Sequence, residues 1–216
     1  MDSLPAIFLG SFVIGLSGAM MPGPMLTVLV REAPRRGFWA GPLMVLGHGL
    51  LELALVAALV LGLASVFRSR LFMGVVGVLG GAMLIFMAGG MLRGIRTLEL
   101  VLQAGEGGER RHPAAAVLDG VLTSVSNPYF TVWWATVGLG YLTLTAGQGL
   151  AGTAAFIVGH VMSDLVWFSL VALAMHLGRR FISDRLYRWL VGVCAVVLVG
   201  FGLYFGWSGV NALFGS

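Results

Sequence analysis

Apolar residues in this chain neither alternate nor recur every three or four positions; they run on without a break. Six such runs fall at residues 5–30, 38–63, 71–92, 115–141, 150–177 and 189–210. A helix needs roughly 20 mostly apolar residues to cross a bilayer, and these stretches are of that order. Continuous runs predict helices. A barrel would alternate, and lipid leaves no other way to pair the backbone of a spanning segment. The expected fold is therefore an all-α polytopic membrane protein of six transmembrane helices, in one transporter domain over residues 1–216. Nothing basic precedes the first run, whose only early charge is Asp2. That run is expected to be a retained helix and not a cleaved signal.

The polar interruptions carry the information. The first run contains "MPGPM" at 21–25 and the fourth contains "SNPYF" at 126–130. Proline lacks an N–H and clashes with the carbonyl four residues back. Pro22, Pro24 and Pro128 should thus free the carbonyls of Gly18, Met20 and Ser124. In lipid those groups need another partner, so each break should face protein or a polar cavity. The second and fifth runs each carry a histidine and an acid one turn apart. These are "GHGLLE" at 47–52, with His48 and Glu52, and "GHVMSD" at 159–164, with His160 and Asp164. The third and sixth runs hold no charge.

Both halves therefore read as broken helix, Gly-His-x-x-x-acid helix, plain helix. Repeat one covers about 1–92, a polar loop about 93–114, and repeat two about 115–216. Three spans is an odd number, so the second half is expected to be inverted relative to the first. In secondary transporters, matching Gly/Pro-interrupted segments mark a binding site near the midplane. Pro22, Gly23 and Pro24, with Ser126, Asn127 and Pro128, are the candidate substrate-binding or helix-break residues. The two His–acid pairs are the candidate proton-coupling residues, because a charge at bilayer depth is costly and usually functional. The same four residues would alternatively ligate a divalent metal or merely clasp helices together. Trp133 and Trp134 either line the path or anchor the interface. His176, near a helix end, reads as interfacial.

Composition agrees and removes other classes. Of 216 residues 58% are hydrophobic and 10% charged, against about a quarter charged in soluble domains. The 33 glycines suit closely packed membrane helices. Cys194 is the single cysteine, so no internal disulfide can form. The net charge of +4 does not imply nucleic acid, because the arginines are spread over short loops. There is no lysine, hence no P-loop, and no zincin or nucleophile-elbow signature. No enzyme and no bound cofactor are expected. The partners are a small-molecule substrate and the lipid bilayer. Gly74, Gly77 and Gly81 would pack either inside the fold or across a homodimer.

Together "MPGPM", the "RRG" turn at 35–37, the glycine-rich second run and "SNPYFTVWWATVGLG" at 126–140 resemble the LysE/RhtB family of amino-acid exporters. Asp164 matches an acid often found in that family's fifth span. The resemblance implies ion-driven export of amino acids or related small metabolites across the inner (plasma) membrane. His48 with Glu52, and His160, depart from many members. They leave the specific substrate open and keep divalent-metal export, known in the wider superfamily, as the alternative.

Eleven arginines fall in loops on one side of the six expected spans and two, Arg68 and Arg70, on the other. The positive-inside bias places the arginine-rich loops in the cytoplasm and both termini outside. In a Cys194→Ala background, Gly147→Cys should react with an impermeant thiol reagent in intact cells and Gly107→Cys should not. Labelling at position 107 would overturn the orientation.

Overall fold

In the computed structural model, residues 3–67, 69–95, 112–178 and 183–215 are described. The first helix, α1 (Leu4–Ala19), cannot run on through Pro22. The amides of Met20 and Met21 turn back to Leu16 and Gly18, Gly23 is extended, and α2 (Pro24–Arg36) starts anew with Pro24 in its first turn. The two helices meet at a bend of 78°. The carbonyl of Gly18, expected to be free, is taken by the Met21 N–H at 3.1 Å as the last turn tightens.

Gly37 links α2 to α3 (Ala40–Ala58) with φ at 77°, a left-handed conformation that a side chain would strain. A π-helical turn (Leu59–Leu63) joins α3 to α4 (Ala64–Phe67). Ser69 Oγ caps α5 (Arg70–Gly94) by accepting from Phe72 N–H. In the second half, α6 (Pro113–Val125) ends before Pro128. Ser126 and Asn127 close its last turn, and Asn127 Oδ1 caps α7 (Pro128–Trp133) by accepting from Tyr129 N–H. A second π turn (Trp134–Gly138) leads into α8 (Leu139–Thr145). Two long helices follow, α9 (Gly149–Gly178) and α10 (Asp184–Phe214).

Among the described residues every regular element is helical. Four helices are long and apolar enough to cross a membrane: Ala40–Val66, Arg70–Arg93, Gly149–Gly178 and Asp184–Phe214. The bent α1–α2 pair makes a fifth if counted as one span. The fourth expected span, 115–141, is interrupted at the Asn127–Pro128 break, which leaves α6 only 13 residues. Among the described residues, length and composition give four to five spans. Most of the expected 93–114 loop, with Arg96, Arg110 and Arg111, lies outside the described residues, as do Arg68, Arg179 and Arg180.

The helices pack across the two halves. α1 lies on α9, α3 on α6, and α5 on α10. Each half's first helix thus meets the other half's second, and the two third helices meet each other. Small residues set these contacts. A Cβ on Gly47 would overlap the Val117 carbonyl, and one on Gly120 would overlap the Met44 carbonyl, so α3 and α6 touch backbone to backbone. Gly77 and Gly81 do the same on α5 against α10 of the same chain, and Gly74 makes room there for the Leu213 side chain. The glycine face weighed for a dimer is therefore used inside the fold. Large apolar side chains such as Leu61, Leu150 and Phe214 cover the outside.

Gly120→Ala should force α3 and α6 apart and cost about 1–3 kcal/mol, as overpacking does. Gly90→Ala, where a Cβ would meet nothing within 4 Å, should be neutral or slightly stabilising. Thermal melting of the two detergent-purified variants compares them; equal melting would contradict the close α3–α6 contact.

Candidate functional site

One turn of helix separates His48 from Glu52 on α3, and His160 from Asp164 on α9, so each pair shares a helix face. Because α3 and α9 are in contact, the four side chains converge. His160 Nε2 lies 2.8 Å from Glu52 Oε1, and His48 Nε2 lies 3.2 Å from the same oxygen. Asp164 Oδ2 is 3.6 Å from His48 Nε2 and 3.7 Å from His160 Nε2. That is ion-pair range but beyond a good hydrogen bond. The closest pair is thus formed between helices and not within one. Glu52, Asp164 and His160 are 2%, 3% and 5% exposed.

Other elements fix these groups. Trp134 Nε1–H donates to Glu52 Oε1 at 3.2 Å. The Trp133 ring stacks on His160 with centroids 4.6 Å apart, and Phe130 presents an edge contact to His48. Ser124 Oγ sits 2.6 Å from His48 Nδ1 and itself donates to the Gly120 carbonyl at 2.7 Å. With its only hydrogen committed there, the serine must accept from His48 Nδ1–H. Nε2 then faces two carboxylates, an arrangement favourable only when it also carries a hydrogen. The geometry therefore suits an imidazolium at His48. Among the described residues, three buried polar atoms of this cluster have no hydrogen-bond partner: Glu52 Oε2, Asp164 Oδ2 and His160 Nδ1. Buried polar atoms are rarely left so.

The cluster lines a cavity of about 80 Å³. Pro22, Gly23 and Pro24 line it from the first helix break and Asn127 from the second, with Thr123 and Ser124 from α6. Leu84, Leu198 and Phe201 close it from α5 and α10. Two expected residues are not part of the lining. Ser126 turns its hydroxyl back to the Leu122 carbonyl at 2.6 Å, and Pro128 packs against Gly80. Trp133 and Trp134 are buried cavity residues, not interfacial anchors. His176 packs over Gly37. The serine partner of His48 and the tryptophan donor to Glu52 were not legible in the sequence, since nothing local pairs residues 76 and 82 apart.

A third buried acid escaped the sequence reading. Glu32 on α2, 6% exposed, binds Arg36 Nε at 3.0 Å, and Arg36 Nη2 reaches Asp119 on α6 at 3.2 Å. The i, i+4 spacing of Glu32 and Arg36 was the available signal. Arg36 is thus more than a topology marker, since it ties α2 to α6.

One ligand atom each from His48, Glu52 and Asp164 lie within 4.8 Å of one another, so these three could hold a divalent cation. The comparisons with known proteins point elsewhere. A family model described as LysE type translocator matches residues 16–209. The chain belongs to the LysE type translocator family. It is 25% identical, over 97% of its length and 99% of the relative, to YcgF of Bacillus subtilis, a protein named for amino acid efflux. It is also 25% identical to the threonine efflux protein of Escherichia coli K12, over 92% of this chain and 96% of that one. The threonine efflux protein of Salmonella typhimurium LT2 is 23% identical over the same shares. No solved structure matches. These relatives are named for efflux of amino acids, which gives metal export no support. This LysE type translocator is a multi-pass membrane transporter and not an enzyme.

Proposed function

We propose that this translocator exports amino acids or closely related metabolites across the cytoplasmic membrane, driven by inward proton flow. The observation that carries this reading is the cluster of His48, Glu52, His160 and Asp164 in one cavity, bordered by the breaks at 22–24 and 127. The relatives' names supply the solute class. The cross-half pairing of α1 with α9, α3 with α6 and α5 with α10 supports two inverted three-span halves, with α6 to α8 together forming the remaining span. The arginine bias supports external termini.

Coupling follows from charge balance. Two carboxylates in an enclosed site call for about two positive charges within reach. Protons on the imidazoles supply them, or a solute ammonium replaces one. A site open to the cytoplasm would bind solute and give up a proton. Open outside, it would take a proton and release the solute. By linkage each ligand weakens the other to the same degree. The other lining groups from α1, α2, α5, α6, α7 and α10 carry no charge, so the exchange is confined to these four side chains.

Efflux from vesicles against a panel of amino acids with an imposed proton gradient tests the reading. Glu52→Gln and Asp164→Asn keep shape but cannot titrate. Each should reduce uphill transport to background. His48→Gln and His160→Gln should shift the pH optimum. Wild-type uphill transport by the Glu52→Gln/Asp164→Asn double variant would reject the coupling role.

A further inference from the structure

The cavity lining holds two chemically opposite sets of groups. In one, α2 begins at Pro24 with Gly23 as its N-cap, and no side chain caps it. Proline has no N–H, Thr27 N–H pairs with the Gly23 carbonyl, and the amides of Met25 and Leu26 have no acceptor among the described hydrogen bonds. Two bare donors and the positive end of a 13-residue helix face the cavity. Beside them lies a third donor. A Cβ on Gly23 would stand only 3.6 Å from Asn127 Nδ2. Asn127 spends its Oδ1 on the Tyr129 amide, which fixes the side chain with its NH₂ turned away from that cap. Glycine at 23 leaves this space open.

The acids form the other set. Glu52 Oε2 and Asp164 Oδ2 are buried in the same lining and lack a hydrogen-bond partner. Three donors converge on Glu52 Oε1 alone, so Oε2 is left without a hydrogen bond, and Asp164 Oδ2 has only the two imidazoles, at 3.6 and 3.7 Å. A group that donates hydrogen bonds and carries positive charge, as an ammonium does, suits both oxygens. Met25, Leu84, Phe168, Leu198 and Phe201 make an apolar part of the same lining.

We propose that the solute lies across this cavity as a zwitterion. Its α-carboxylate sits on the N–H groups of Met25 and Leu26 and on Asn127 Nδ2. Its α-ammonium sits between Glu52 Oε2 and Asp164 Oδ2. The side chain then meets the apolar wall, which selects an uncharged α-amino acid. A cationic side chain finds no further acid there, since His48, Glu52, His160 and Asp164 are the charged members of the lining. The assignment rests on the amino-acid export reading above and goes beyond it by naming which group holds which end.

Binding to the full-length purified protein in detergent, read by thermal shift and by displacement of a radiolabelled amino acid, tests the assignment. The standard amino acids are screened first. The tightest is then compared with its methyl ester, which lacks the carboxylate charge, and its des-amino acid, which lacks the ammonium. Each analogue should bind at least about tenfold more weakly, equivalent to 1.4 kcal/mol. Asn127→Asp keeps an oxygen for the α7 cap but sets an anion against the solute carboxylate. It should weaken the free amino acid at least about tenfold and leave the methyl ester unaffected or tighter. Equal binding of acid and ester to the wild type, or equal weakening of both by Asn127→Asp, would overturn the assignment while leaving export intact. If Asn127→Asp does not fold, the wild-type comparison decides alone. Failure of any amino acid to bind the wild type would overturn the export reading and this one with it.

Discussion

Two carboxylates held where water is scarce must keep positive charge close, and much of the interior is arranged around that requirement. Glu52 Oε1 receives Trp134 Nε1–H and faces both imidazoles, at 2.8 and 3.2 Å. The partners are themselves held: His48 by Ser124, which is held by the Gly120 carbonyl, and His160 by the Trp133 ring. A group ionised without compensation at this depth costs several kcal/mol. Any proton leaving the cluster is therefore favoured when another cation arrives. Exchange of protons for an ammonium needs no further device.

The cluster exists only because helices of opposite halves come very close. Gly47 and Gly120 let α3 meet α6 backbone to backbone, which carries Ser124 to His48. Gly159 does the same for α9 against the Phe8 carbonyl of α1. The proline breaks have a complementary role. They stop α1 and α6 at the cavity and present the start of α2 and the amide of Asn127 to its interior. Close packing fixes the acid set, and interrupted packing opens the other.

The sequence made part of this legible. His48, Glu52, His160 and Asp164 stand out because charge is rare in an apolar run, and Pro22, Pro24 and Pro128 because proline ends a helix whatever its surroundings. These are local signals. The cross-pairing of His160 with Glu52 is not local, and each acid was expected to answer first to the histidine of its own helix. Trp134 was ambiguous for the same reason, since an indole N–H serves equally at an interface or on a buried carboxylate. The break in the fourth run was legible from Pro128, but not how complete it is: Asn127 caps a new helix, which hydropathy does not register. Ser126 was polar and adjacent, yet its hydroxyl bonds back to its own helix, as serine commonly does.

The central claim is that protons and solute occupy the same site by turns. Titration calorimetry of the purified protein with its tightest amino acid, at several pH values and in buffers of different ionisation enthalpy, measures it directly. The account predicts that binding releases protons, so that the heat depends on the buffer, and that apparent affinity rises with pH. Binding heats independent of the buffer at every pH, with constant affinity, would contradict it.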